Sequence, residues 1–179
     1  MMEKREKVSK TTLTIFIIFF IFTLLQFLSP IFLPSNTYTD LSGLVAVSDN
    51  QESINSMPLP WNIAYGFGDR LCHQRADRSF FINGNQMPFC ARCTAIFIGL
   101  VIGLIVILFY RIELNERFIF FIFLSLVPIG IDGTGQLFGL WESSNLSRTL
   151  TGIILGIPFG IAIGIIIDEI KIIYKSKIS

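Results

Sequence analysis

The sequence predicts an all-α polytopic membrane protein with four transmembrane helices. Three observations carry that prediction. Hydrophobic residues make up 52% of the 179-residue chain and charged residues only 15%, with a mean hydropathy of +0.65, far from ordinary soluble-domain composition. Four apolar runs reach or approach the roughly 20 residues a helix needs to cross a bilayer. All six lysines fall in the two tails: Lys4, Lys7 and Lys10 at the start, Lys171, Lys175 and Lys177 at the end. Net charge is only +1, and no basic nucleic-acid motif is present, so the expected partner is the lipid bilayer and not nucleic acid.

The first run, 11–33, is interrupted only by Thr14, Thr23, Gln26, Ser29 and Pro30. It is too long for a signal-peptide core, and no small-residue cleavage site follows closely. Residues 1–33 therefore read as a basic tail with a retained anchor. Residues 34–60 are polar, rich in Asn and Ser, and form a linker or small lobe. Over 61–71, Trp61, Ala64, Tyr65 and Leu71 suggest a short interfacial helix, weakened by Gly66 and Gly68. Asn83-Gly84 is a turn signal between Phe80-Phe81-Ile82 and Gln86-Met87-Pro88-Phe89, and predicts a hairpin-like return. The second run is 94–110. The third is purely apolar over 118–131, and becomes a full span to about 140 when Asp132 and Gln136 are included. The fourth, 149–167, closes a membrane core of 61–167 and leads into a second basic tail, 168–179. Glycines at 152, 156, 160 and 164 and at 99 and 103 make smooth helix faces, so the second and fourth spans are expected to touch.

Lysine and arginine set the expected orientation. An even number of spans puts both tails on one side. That side holds nine cations (Lys4, Arg5, Lys7, Lys10, Arg111, Arg117, Lys171, Lys175, Lys177) against five (Arg70, Arg75, Arg78, Arg92, Arg148) on the other. Both termini are thus expected in the cytoplasm of a multi-pass cell-membrane protein.

The candidate site lies on the outer side. All three cysteines and the only histidine fall between Cys72-His73 and Cys90-x-x-Cys93, ahead of the second span. The hairpin return would bring these four groups together. Asp132 and Gln136, four apart, share a helix face; an acid in a span is a functional candidate by default. Glu142 follows in a polar turn where Ser143, Ser144 or Asn145 can cap the fourth helix. Arg148 would be a sensible buried partner for Asp132. The outer cations are all arginine, whose planar fork suits carboxylate or phosphate. Arg75, Arg78, Arg92 and Arg148, with Gln136 and Asn145, are therefore candidates for binding an anionic lipid or phosphate. Structural ion pairs with Asp69, Asp77 and Glu142 are the alternative.

Cys72-His73-Gln74-Arg75, Arg78-Ser79-Phe80 and Pro88-x-Cys90-x-Arg92-Cys93-Thr94 resemble one signature of a prokaryotic family of predicted membrane proteins known only as a domain of unknown function. Asp132-Gly133-Thr134-x-Gln136, followed by Glu142-Ser143-x-Asn145-x-x-Arg148-x-x-Thr151-Gly152, resembles its second. The resemblance covers about 61–164 and implies a polytopic membrane protein without supplying a mechanism. The family often has glycine where this chain has Ala95.

Three readings of the thiols stay open. Cys72, His73, Cys90 and Cys93 have donor types suited to tetrahedral zinc, with Asp132 or Glu142 as general base on a metal-bound water; the adjacency of Cys72 and His73 is the weak part. A CxxC at a helix start is similar to quinone-linked disulfide-forming enzymes, which generally need a fourth cysteine. In an oxidising exterior, Cys72 can instead pair with Cys90 or Cys93 as a structural staple.

Overall fold

The computed structural model describes residues 3–5 and 8–178; Lys7, one of the tail cations, lies outside them. Four helices are long and apolar enough to cross a membrane: α1 (Lys10–Phe32), α4 (Ala91–Phe109), α5 (Glu116–Leu137) and α6 (Asn145–Ile178). Between α1 and α4 lie two short helices, α2 (Gln51–Asn55) and α3 (Trp61–Leu71), and a hairpin of β2 (Ser79–Ile82) with β3 (Asn85–Cys90). At the opposite end, β1 (Glu3–Lys4) pairs with β4 (Tyr110–Arg111).

Helix α6 runs well beyond the apolar stretch that predicts it, past Asp168 and Lys171. Arg5 and Thr12 both bond the Asp168 carboxylate, which ties the amino-terminal segment to the last helix. The tails and the α4–α5 connection therefore share one end of the bundle, and the hairpin and the α5–α6 connection share the other, hereafter the site end. Helix α5 stops at 137 because Gly139 takes a left-handed φ of 68° and its N–H caps Gln136 O at 3.1 Å. At the start of α6 the Ser144 hydroxyl accepts from Ser147 N at 3.2 Å, as a helix cap does.

The glycine faces do what their period predicts. A Cβ on Gly99 would lie 2.7 Å from Gly156 Cα, and one on Gly103 would lie 2.2 Å from Ile157 O. Helices α4 and α6 thus meet backbone to backbone. Leu104, Ile107, Ile161 and Ile165 fill the seam beside them, with Ile15, Phe16 and Phe19 of α1 on its flank. Helix α5 packs mainly on α6 and buries only Ser125, Asp132 and Gly135. Its outer face, including Phe120 and Phe123, is exposed as a lipid-facing surface would be.

Residues 34–60 are a lobe and not a free linker. Leu41, Ile54 and Met57 bury against Leu33 and Tyr65. The hairpin turns through Asn83 (φ 54°) and Gly84 (φ 71°), the left-handed pair that a two-residue hairpin loop requires. All six residues of β3 are buried, since α1, α3 and α4 all pack on it.

Candidate functional site

Helix α3 delivers the first thiol. Its carboxyl end lies so close to β3 that a Cβ on Gly68 would sit 1.9 Å from Pro88 O; the glycine that weakens the helix is what permits this approach. Cys72 N closes on Gly68 O at 2.9 Å. The chain then turns at Gln74, whose φ of 40° is unusual for a non-glycine residue. Buried amides hold that turn. Gln74 Nε2 donates to Pro88 O at 2.7 Å, and Gln86 Nε2 donates to Gln74 O and to Ser79 Oγ. Leu41 N donates to Gln86 Oε1 at 3.0 Å, and Tyr65 OH donates to Gln86 O at 2.6 Å.

Strand β3 ends in Cys90, which is also the residue capping α4, and Cys93 follows one turn later on the same face. The three sulfurs lie within 4.8 Å of one another, and all three cysteines are free. Cys90 N donates to Cys72 Sγ at 3.4 Å. Phe22, Phe89 and Phe97, with ring centroids 5.2 to 6.0 Å apart, wall the group on the α1 side. Hydrogen bonds from Cys72 and Cys93 hold the Cys90 thiol well below its ordinary range. Cys72, bonded to Cys90, is pushed up to about 11.

His73 stays outside this group. The backbone at Cys72 is extended (φ −138°, ψ 145°), so consecutive side chains leave on opposite faces. His73 Nδ1 accepts from Arg75 N at 3.1 Å, and the ring lines an open cleft with Asp40, Ser42, Arg75, Asp77 and Arg78. Burial holds its pKa below the ordinary imidazole value, against the charge of Cys90.

The second cluster centres on Asp132, which is 5% exposed. Its partner is Arg92 and not the expected Arg148, because Arg92 on the first turn of α4 reaches the carboxylate directly. Gln136 Nε2 and Ser143 Oγ also donate to Asp132 Oδ2, both at 3.1 Å. Arg148 joins one step away, donating to Gln136 Oε1 at 3.2 Å and to Asn145 Oδ1 at 2.9 Å. Asn145 Nδ2 continues to Ser79 O at 3.1 Å, and so reaches the hairpin. Arg75 forks onto Asp77 at 3.0 and 3.2 Å. Glu142 is exposed and acts electrostatically on Arg75. The Asp132 carboxylate on α5 thus meets side chains of α4, of α6 and of the connection between α5 and α6.

A family model described as "Predicted membrane protein (DUF2085)" matches residues 72–167. The chain belongs to this family. The matched segment begins at Cys72 and takes in both clusters, leaving α1, the 34–60 lobe and α3 outside it. An uncharacterized protein of Methanocaldococcus jannaschii is 41% identical over 95 residues, which cover 51% of this chain and 60% of that protein. An uncharacterized protein of Methanothermobacter thermautotrophicus is 32% identical over 87 residues, 49% of this chain and 78% of its own length. The chain thus spans under two thirds of the first relative. No solved structure matches it.

Sequence reasoning missed the bracing roles of Gln74, Gln86 and Ser79 beside the thiols and of Ser143 on Asp132; Gln74 and Gln86 are 1% and 0% exposed. The available signal was a pair of amides, Asn85 and Gln86, heading an apolar run Met87-Pro88-Phe89, since amides are costly to bury without partners.

Proposed function

We propose that Cys72, Cys90 and Cys93 bind one thiophilic metal ion, zinc in the first place, and that the bound ion serves chemistry or recognition on a membrane-associated substrate. The observation that carries this reading is the mutual approach of three sulfurs within 4.8 Å. Tetrahedral zinc with bonds of about 2.3 Å needs sulfurs roughly 3.8 Å apart, within that limit. The N–H of Cys90 on Cys72 Sγ favours the thiolate form that a metal takes at that sulfur. Three protein ligands leave a fourth position for water or an external oxygen, the pattern of catalytic and not of closed structural zinc. His73 is left out of the ligand set, because neither ring nitrogen falls within the group of three sulfurs.

In this reading the protein is a multi-pass cell-membrane protein with both tails in the cytoplasm and the thiol group at the outer boundary, following the nine-to-five cation bias. Cobalt substitution tests the site. Cobalt added to the reduced full chain is expected to give thiolate charge-transfer absorption with an endpoint of one ion per chain, and Cys90→Ser is expected to abolish it. Cobalt spectra without thiolate bands would overturn the proposal. A second reading, thiol–disulfide exchange, is favoured by the low pKa of Cys90 at a helix start. It predicts quinone-dependent loss of two thiols per chain, with two electrons and two protons passing to the quinone.

A further inference from the structure

We propose that Arg78, Arg92 and Arg148 form a binding site for a phosphate-bearing anion at the site end of α4 and α6. The inference does not depend on the metal reading, since it rests on the second cluster.

Arg148 is 6% exposed, yet the acceptors it bonds are neutral amide oxygens, Asn145 Oδ1 and Gln136 Oε1. An arginine this deeply buried ordinarily has a charged partner. The carboxylate nearest along the network, Asp132, is engaged by Arg92. Arg78 and Arg92 both lie within Coulombic range of Arg148, with Asp77 and Asp132 as the opposing charges. Each also holds a buried Nε–H with no hydrogen-bond acceptor. Arg78 Nε approaches Asp77 only at 3.7 Å, while Asp77 is already gripped by Arg75.

The carboxylates near Arg148 are bonded elsewhere: Asp77 to Arg75 and Asp132 to Arg92. Gln136 and Asn145 orient Arg148 from two sides and neutralise nothing. Orphaned guanidinium donors beside a buried cation with no directly bonded counter-charge call for an acceptor with several oxygens and negative charge. A phosphate group meets both needs, and planar guanidinium forks are matched to it. Placed at a membrane boundary, the shared chemistry fits a phospholipid headgroup or a soluble phosphate.

Two probes separate those sources, using the full chain in phosphatidylcholine nanodiscs. Equilibrium dialysis measures radiolabelled inorganic phosphate, and native mass spectrometry counts phosphatidic acid retained on the protein. Saturable binding of one equivalent by either probe supports the proposal: phosphate alone identifies a soluble ligand, phosphatidic acid alone a lipid headgroup. Arg148→Gln is expected to weaken binding roughly tenfold or more, the scale of a lost charge-assisted bond. Arg70→Gln, an exposed cation at the same end bonded to Ser48 Oγ, is expected to change it less than about twofold on the same scale. Should Arg148→Gln fail to fold, Arg78→Gln carries the test, since it breaks no short hydrogen bond. No saturable binding of either probe, or full affinity in folded Arg148→Gln or Arg78→Gln, would overturn the proposal.

Discussion

Replacing Gly68 by alanine tests whether the α3–β3 contact sets the geometry of the thiol group. The added Cβ would lie 1.9 Å from Pro88 O and 2.7 Å from Gln74 Nε2. Ordinary carbon–oxygen contacts begin at about 3.3 Å, so the helix end and the strand must separate by about 1.4 Å. The obstacle is backbone carbonyl and not the tip of a flexible side chain. Cys72 follows four residues later and is bonded back to Gly68, so it moves with the helix while Cys90 stays with β3. Metal sites hold their distances to about 0.2 Å; a shift several times larger detaches Cys72. The expected result is at least about a hundredfold loss of zinc affinity, together with an overpacking cost of about 1–3 kcal/mol. The assay is competition with a chromophoric chelator on the full chain in detergent. Gly66→Ala is the matched control, since its Cβ would meet only Ile54 Cγ2, at 3.9 Å. Zinc affinity in Gly68→Ala within about twofold of the parent, with Gly66→Ala alike, would refute the geometric argument.

Other perturbations test the frame around the site. Asp132→Asn leaves the mostly buried Arg92 without its counter-charge and is expected to cost about 3–5 kcal/mol, read as a lowered unfolding midpoint in bicelles; adding Arg92→Met should recover part of the loss. Gly156→Val drives a side chain toward Ile96 O, which already stands 2.4 Å from an ideal Cβ, and should destabilise by about 1–3 kcal/mol. Gly130→Ala on α5 meets nothing within 4 Å and should be neutral or stabilising by up to about 1 kcal/mol in the same measurement. Gln26 is 0% exposed with neither amide atom partnered. Gln26→Leu should therefore stabilise by about 1–3 kcal/mol, and a fall in midpoint would contradict that assignment.

The architecture was legible because membrane spans are written in long apolar runs and glycine periods. The hairpin was legible because Asn83-Gly84 suits a left-handed turn. The α3 helix was legible in extent, although Gly68 looked like a weakness until its contact with Pro88 explained it. The site was legible in location but not in partnership. Helical spacing put Asp132 and Gln136 on one face, yet could not say whether Arg92 or Arg148 would reach the acid, because that depends on how α4 and α6 stack. The adjacency of Cys72 and His73 was the weak part of a shared metal site, and the extended backbone at Cys72 does send their side chains to opposite faces. Linker and lobe stayed open for 34–60 because its apolar anchors are sparse, Tyr38, Leu41, Ile54 and Met57, and the rest of its hold is hydrogen bonding to Asn85, Gln86 and Asp69. Gln74 and Gln86 escaped notice since amides read as surface residues until their buried hydrogen bonds are seen.

Elemental analysis of the detergent-purified full chain, paired with a mass-spectrometric thiol count on denaturation, tests the central claim most directly. The account predicts one zinc per chain and three free thiols. A metal-free chain with one intact disulfide would contradict it.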